Sequence, residues 1–209
     1  MGRDLSAAMN ATFASAATAF AGLVHHIPEW KWDGPGLGDW DLRSLVGHTS
    51  RSLSTVSSYL QTTAAREDLP GAVEYYVYAR EFASAAGAEA IVERGRQAGR
   101  ELGSDPAAAV DQLVTRALDD LGGADDPLIT VIGGLGIRLS SYMPTRTFEL
   151  AVHGLDVARA AGLDFTLHED VLADATMLAT RVGLALGQGE TVLSALTGRT
   201  ALPAPFSVV

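Results

Sequence analysis

The chain has 209 residues, 47% of them hydrophobic and 19% charged, a composition that builds a packed core and excludes an intrinsically disordered protein. Its formal net charge of −10 and singly scattered basic residues argue against nucleic-acid binding. It contains no cysteine, so any metal must rest on His, Asp or Glu, and any thiol chemistry needs a thiol from outside.

No apolar run reaches the roughly 18–20 residues of a membrane span. The N-terminal MGRDLSAAMN carries an acid early and continues as an amphipathic helix, unlike a signal peptide, so a cytoplasmic protein is expected. Residues 4–27 place Leu5, Met9, Phe13, Phe20, Leu23, Val24 and Ile27 at helical spacing. PEWKWDGPGLGDW (28–40) breaks that pattern and reads as a loop whose tryptophans plug one end of the core. A second helix starts near Trp40, with Asp39 or Asp41 as N-cap, and lines one side with Leu42, Leu45, Val46, Leu53, Val56 and Leu60. A third helix is expected over about 72–101, and GSDP opens a fourth over about 105–121. Within 125–144, two alternating β-branched runs flank Gly133-Gly134 and read as a short hairpin. Pro144 is then expected to open a helix that Gly162 ends, and a last helix runs from near His168 to about Leu186. ALTGRTALPAPFSVV is expected to pack back on the body as a tail. With no repeat, low-complexity segment or linker, residues 1–209 read as one mainly α domain.

The stretch RTFELAVHGLD (146–156) carries the chemistry. A helix turns about 100° per residue, so Glu149 and His153 share a face and Arg146 and Asp156 extend their stripe. Such a stripe is either a solvated row of charges or an inward wedge. Phe148 and Val152 on one side, with Leu150 and Val157 on the other, favour the wedge. A buried glutamate–histidine pair needs partners, and a divalent metal satisfies both members at once. His48, on the flank of its own helix's apolar stripe, is the candidate third ligand, because bundle metal sites are assembled from inward side chains on facing helices. Arg146 either grips a substrate carboxylate with its fork or pairs with Glu149 or Asp156. Asp156 either orients a ligand histidine or faces the adjacent helix. His25 and His26, at a helix C-terminus, read as structural, and His168 as exposed. GGLG (133–136) lacks a phosphate-loop lysine and a Rossmann context, so it is a turn.

Three stretches, WDLRSLVGH (40–48), MPTRTFELAVHGLD (143–156) and ALTGR (195–199), resemble the N-terminal domain of mycothiol-dependent maleylpyruvate isomerases, within the DinB-like superfamily of metal-binding helical bundles. Other DinB-like members carry a histidine where Glu149 stands. The resemblance implies an up-down four-helix bundle, with extra helices and a short β-hairpin here. It further implies a divalent metal, most commonly zinc, held by His48, Glu149 and His153 with a position left open. In the family the metal deprotonates mycothiol, the thiolate adds to a substrate C=C, the bond rotates, and elimination returns the trans isomer. Relatives transfer the thiol to electrophiles instead. The isomerase has a further C-terminal α/β domain, whereas this sequence stops shortly after the bundle, so substrate contacts from that domain are expected to be missing.

The expected function is therefore a thiol-dependent metalloenzyme, an isomerase or S-transferase acting on a small thiol and an electrophilic acid, as a monomer or homodimer. The alternatives are a non-catalytic metal or small-ligand binding bundle, and a purely structural dimerising protein with an ion-paired stripe.

Overall fold

The computed structural model describes residues 2–209, the side chains of residues 2–8 and of Ala86 excepted. Its helices are α1 (Gly2–His25), α2 (Leu42–Leu60), α3 (Ala72–Ala86), α4 (Ala88–Glu101), α5 (Pro106–Gly122), α6 (Leu139–Ala161), α7 (Glu169–Ala185) and α8 (Gly189–Leu196). Strands β1 (Leu128–Thr130) and β2 (Gly136–Arg138) lie between α5 and α6.

Acidic side chains set where three of the main helices begin. Asp41, one of the two expected caps, accepts from the Ser44 backbone N–H at 2.7 Å and starts α2. Asp105 accepts from Ala108 N–H at 3.0 Å, with Pro106 in the first turn of α5, where its missing N–H costs nothing. α6 is capped from a distance: Asp126 accepts from Ser140 N–H at 2.7 Å and from Ser140 Oγ at 2.9 Å. At its far end Gly162 adopts a left-handed conformation (φ 71°), and Leu163 N–H closes on Ala158 C=O at 2.9 Å, which ends α6 where expected.

α1, α6, α2 and α5 pack in a closed ring, each against the next, and form the expected four-helix bundle. Phe13, Phe20, Leu45, Leu53, Val110 and Leu150 are fully buried in its core. Met9, Leu23, Val24 and Ile27 join or border that core as expected, while the Leu5 side chain lies outside the described residues. α4 lies along α2, α3 rests on α6 and α7, and α8 rests on α7. The hairpin pairs Ile129 with Ile137 in antiparallel register, and Gly133 and Gly134 supply the two positive φ angles of its turn. The loop before α3 pins it: Asp68 and Leu69 N–H both donate to Gly136 C=O, and Gly136 N–H donates to Asp68 Oδ2 at 2.9 Å.

Several expectations need correction. The helix expected over 72–101 is two helices, α3 and α4, divided at Gly87, whose φ of 83° no L side chain adopts readily. The flanking alanines hide this break, because the helical periodicity continues across it. Pro144 does not open α6 but sits inside it, five residues past Leu139. The helix starts earlier because the Asp126 cap, fourteen residues before Ser140 in sequence, holds its first turn. The tryptophans do not all plug the core: Trp32 is buried and Trp40 half-buried, but Trp30 is 76% exposed. The chain after α7 is not simply a tail, since it first forms α8. The residues beyond α8 are mostly exposed and pack back through Val208. Among the described residues no helix is long and apolar enough to cross a membrane.

Candidate metal centre

α2 and α6, neighbours in the bundle, bring His48, Glu149 and His153 together, with one potential ligand atom from each lying within 4.8 Å of the others. No other group of three His, Asp or Glu side chains among the described residues does so. The stripe on α6 is turned mostly inward: the Glu149, His153 and Asp156 side chains are 20%, 17% and 16% exposed. The flanking Phe148, Leu150 and Val157 are buried and Val152 is half-buried, as the wedge reading requires.

Glu149, His153 and Asp156 each have defined polar partners. His153 Nδ1 lies 3.2 Å from Asp156 Oδ2, and its Nε2 lies 3.3 Å from Glu149 Oε2. Asp156 thus stands behind the histidine, and its other oxygen accepts from Arg159 Nη1 at 3.2 Å. The Tyr76 hydroxyl, from α3, donates to Glu149 Oε1 at 2.6 Å. The His48 ring stands edge-on to His153, with centroids 4.9 Å apart, and is covered on another side by Trp40 at 4.4 Å. Trp40 in turn donates its indole N–H to Val92 C=O of α4 at 2.9 Å. α4 comes this close because it presents glycines. A Cβ on Gly95 would lie 2.5 Å from the Trp40 ring, and one on Gly47 of α2 would lie 2.2 Å from Gly99 N.

The protonation states follow from these contacts. Burial and the neighbouring His153 push His48 down to about 4, leaving it neutral with a free lone pair at physiological pH. Burial would raise Glu149, but the His153 hydrogen bond, the Arg146 charge and the Tyr76 hydroxyl outweigh it and hold the carboxyl at about 2. Burial would lower His153, but its hydrogen bonds to Asp156 and Glu149 win and raise it to about 9. Tyr76 is held well above the usual phenol range, first by burial and then by the Glu149 charge, so it remains a donor.

The donor chemistry, two imidazoles and a carboxylate, suits a divalent ion. Two ligand atoms about 2.05 Å from a tetrahedral ion stand about 3.3 Å apart, the spacing shown by His153 Nε2 and Glu149 Oε2, 3.3 Å. Among the described residues Arg146 makes no ion pair with Glu149 or Asp156. It is buried, with its guanidinium over the Tyr142 ring at 4.7 Å and the Tyr75 ring at 5.4 Å.

The model of the mycothiol maleylpyruvate isomerase N-terminal domain family matches residues 13–158. The chain belongs to this family. The match runs from the first buried aromatic of α1 to the last turn of α6 and contains the triad together with Trp40, Tyr76 and Asp156. No curated protein and no solved structure matches the chain. The DinB-like bundle expected from the resemblance is consistent with the family and with the observed ring of helices.

Sequence reasoning missed Tyr76, Tyr75 and Trp40 as members of this neighbourhood. A signal was available in VEYYVYAR: adjacent tyrosines in an amphipathic helix, once buried, need partners for their hydroxyls. The remaining histidines lie apart from the triad. His25 Nε2 contacts Asp111 at 2.8 Å, His26 Nδ1 contacts Gly22 C=O at 2.7 Å, and His168, 64% exposed, caps α7.

Proposed function

We propose that the protein binds a divalent metal, zinc by preference, through His48, Glu149 and His153, and that it uses mycothiol or a similar small thiol for isomerisation or S-transfer on an electrophilic acid. The observation that carries this reading is the convergence of three ligand atoms from two helices, one carboxylate and two imidazoles, with the histidine on α6 backed by Asp156. Two histidines and a carboxylate are a zinc donor set, and three protein ligands leave a position for an exchangeable group. The ion, when bound, supplies positive charge that makes a thiol ionise near neutral pH.

The chain's own residues prepare the site. Asp156 takes the Nδ1 side of His153, so Nε2 is the nitrogen offered toward Glu149. Tyr76 occupies Oε1 of Glu149, so Oε2 is the oxygen that faces His153. Trp40 screens His48 from water on the α4 side. The absence of cysteine agrees with a thiol that arrives as a cosubstrate.

Metal analysis of the purified protein, with His48→Ala and His153→Ala beside it, tests the site. Stoichiometric zinc in the wild type and its loss in both variants is the expected result; unchanged affinity in either variant refutes the triad. Thiol consumption with mycothiol and a panel of electrophilic acids, maleylpyruvate included, then tests the chemistry. Stoichiometric metal without turnover across the panel would replace the enzyme reading with that of a binding module.

A further inference from the structure

We propose that Arg146 and Tyr75 form an anion-binding pair built to take a carboxylate of a small acid beside the metal triad. Such a pair deepens the function proposed above by placing the acid's carboxylate, and it rests on that reading only for what the carboxylate is brought next to.

Arg146 has more hydrogen-bond donors than the fold uses. Its side chain is 7% exposed and carries a charge that it never loses. Aromatic rings lie over its guanidinium, so only the edge is left to bind. Nε donates to Thr145 Oγ1 at 3.0 Å, and Nη2 donates to the Tyr75 hydroxyl at 3.3 Å. Those contacts use two of the five N–H groups of an arginine. The others meet no acceptor among the described residues. Nη1, which has no partner, is not sealed off either: Asn10 Oδ1 and Ser57 Oγ are the fully buried side-chain atoms that lack a partner there, and Nη1 is not among them.

Tyr75 extends the same edge. Its hydroxyl accepts from Arg146, and its own proton has no acceptor among the described residues. Arg146 and Tyr75 therefore offer N–H and O–H groups side by side, with donors in excess and no carboxylate within 4 Å of the guanidinium. A buried cation without a partner is costly, and a donor-rich edge selects an acceptor-only group. A carboxylate meets both needs, because its two oxygens match the planar fork. The position suits the triad. Arg146 precedes Glu149 by three residues, roughly one helical turn, and Tyr75 is next in sequence to Tyr76, which holds Glu149.

The test is calorimetric titration of succinate, dimethyl succinate and inorganic phosphate into the full chain, both metal-free and zinc-loaded. Succinate is expected to bind both forms and the neutral ester neither. Tyr75→Phe, which keeps the ring and removes the O–H, is expected to weaken succinate at least about ten-fold, the effect of losing a hydrogen bond to a charged group. It should leave zinc affinity unchanged. Arg146→Lys, which keeps the charge and removes the fork, should weaken succinate as well. Wild-type succinate affinity in a folded Tyr75→Phe overturns the pair, and so does binding confined to the zinc-loaded form. Phosphate binding as tight as succinate overturns the choice of a carboxylate. Succinate binding that depends on Tyr75 in a protein that takes up no zinc would leave the pair standing and remove the metal reading.

Discussion

The affinity of the triad for a divalent ion should depend on pH through one residue. In the metal-free protein Glu149, held at about 2, and His48, held at about 4, are already in their ligand forms above pH 5. His153 is not, because Asp156 and Glu149 hold it at about 9, and an ion must displace its proton. At pH 7 roughly one molecule in a hundred has a neutral His153, a handicap of about 2.7 kcal/mol on binding. Raising the pH removes that handicap ten-fold per unit. The apparent zinc affinity should therefore rise about a hundred-fold from pH 6 to pH 8 and level off near pH 9. Competition against a chromophoric chelator measures the slope. Calorimetry in buffers of different ionisation enthalpy counts the protons released, and one per ion is expected at pH 7. An affinity that does not change between pH 6 and pH 8 would refute the protonated His153. Release of two protons at about pH 5.5, below the range where a metal-bound water ionises, would refute the neutral His48.

Asp156→Asn should lower the limiting, high-pH zinc affinity by about 10–100-fold, and the pH curve should level off earlier, because His153 loses its main stabilising hydrogen bond. Tyr76→Phe leaves Glu149 Oε1 without its donor; urea unfolding of the metal-free protein should show a loss of about 1–3 kcal/mol. Gly47→Ala drives a Cβ to 2.2 Å from the Gly99 backbone, so urea unfolding should show a loss of at least about 1–3 kcal/mol from overpacking. Metal-free protein should also lose stability as pH rises from about 6.5 toward 9. The folded His153 keeps its proton through that window while the unfolded chain has released it, so the urea midpoint should fall across the range.

The bundle was legible because its signals are local. Asp41 and Asp105 cap within three residues, Gly162 ends α6, and the spacing of Phe13, Phe20, Leu45 and Leu53 reports a buried face. The stripe from Arg146 to Asp156 was legible for the same reason, since all four residues share one helix. The features that were not legible depend on chain segments distant in sequence. Asp126 reaches across the hairpin to start α6, whereas Pro144 is the start signal that local sequence offers. Gly87 breaks a periodic alanine-rich run by backbone conformation alone. Tyr76 and Trp40 meet the triad only after α3 and α4 fold over it, and periodicity cannot say which helix covers which.

The polar groups around the triad are balanced in a way that bears on its chemistry. In the metal-free protein the carboxylates of Glu149 and Asp156 are in contact with one imidazolium, His153, and one guanidinium, Arg159, so these four groups sum to zero. A divalent ion that takes the place of the His153 proton would leave the same set with one net positive charge. That is the charge a single thiolate cancels, and a partly buried site favours the ligand that restores neutrality. Arg146 stands outside this balance, with no carboxylate in contact. With its charge added the metal-loaded set would carry two positive charges, and a thiolate would cancel one of them. The residue that the helix buries among tyrosine rings is therefore the one that would leave a charge for a second anion beside the triad.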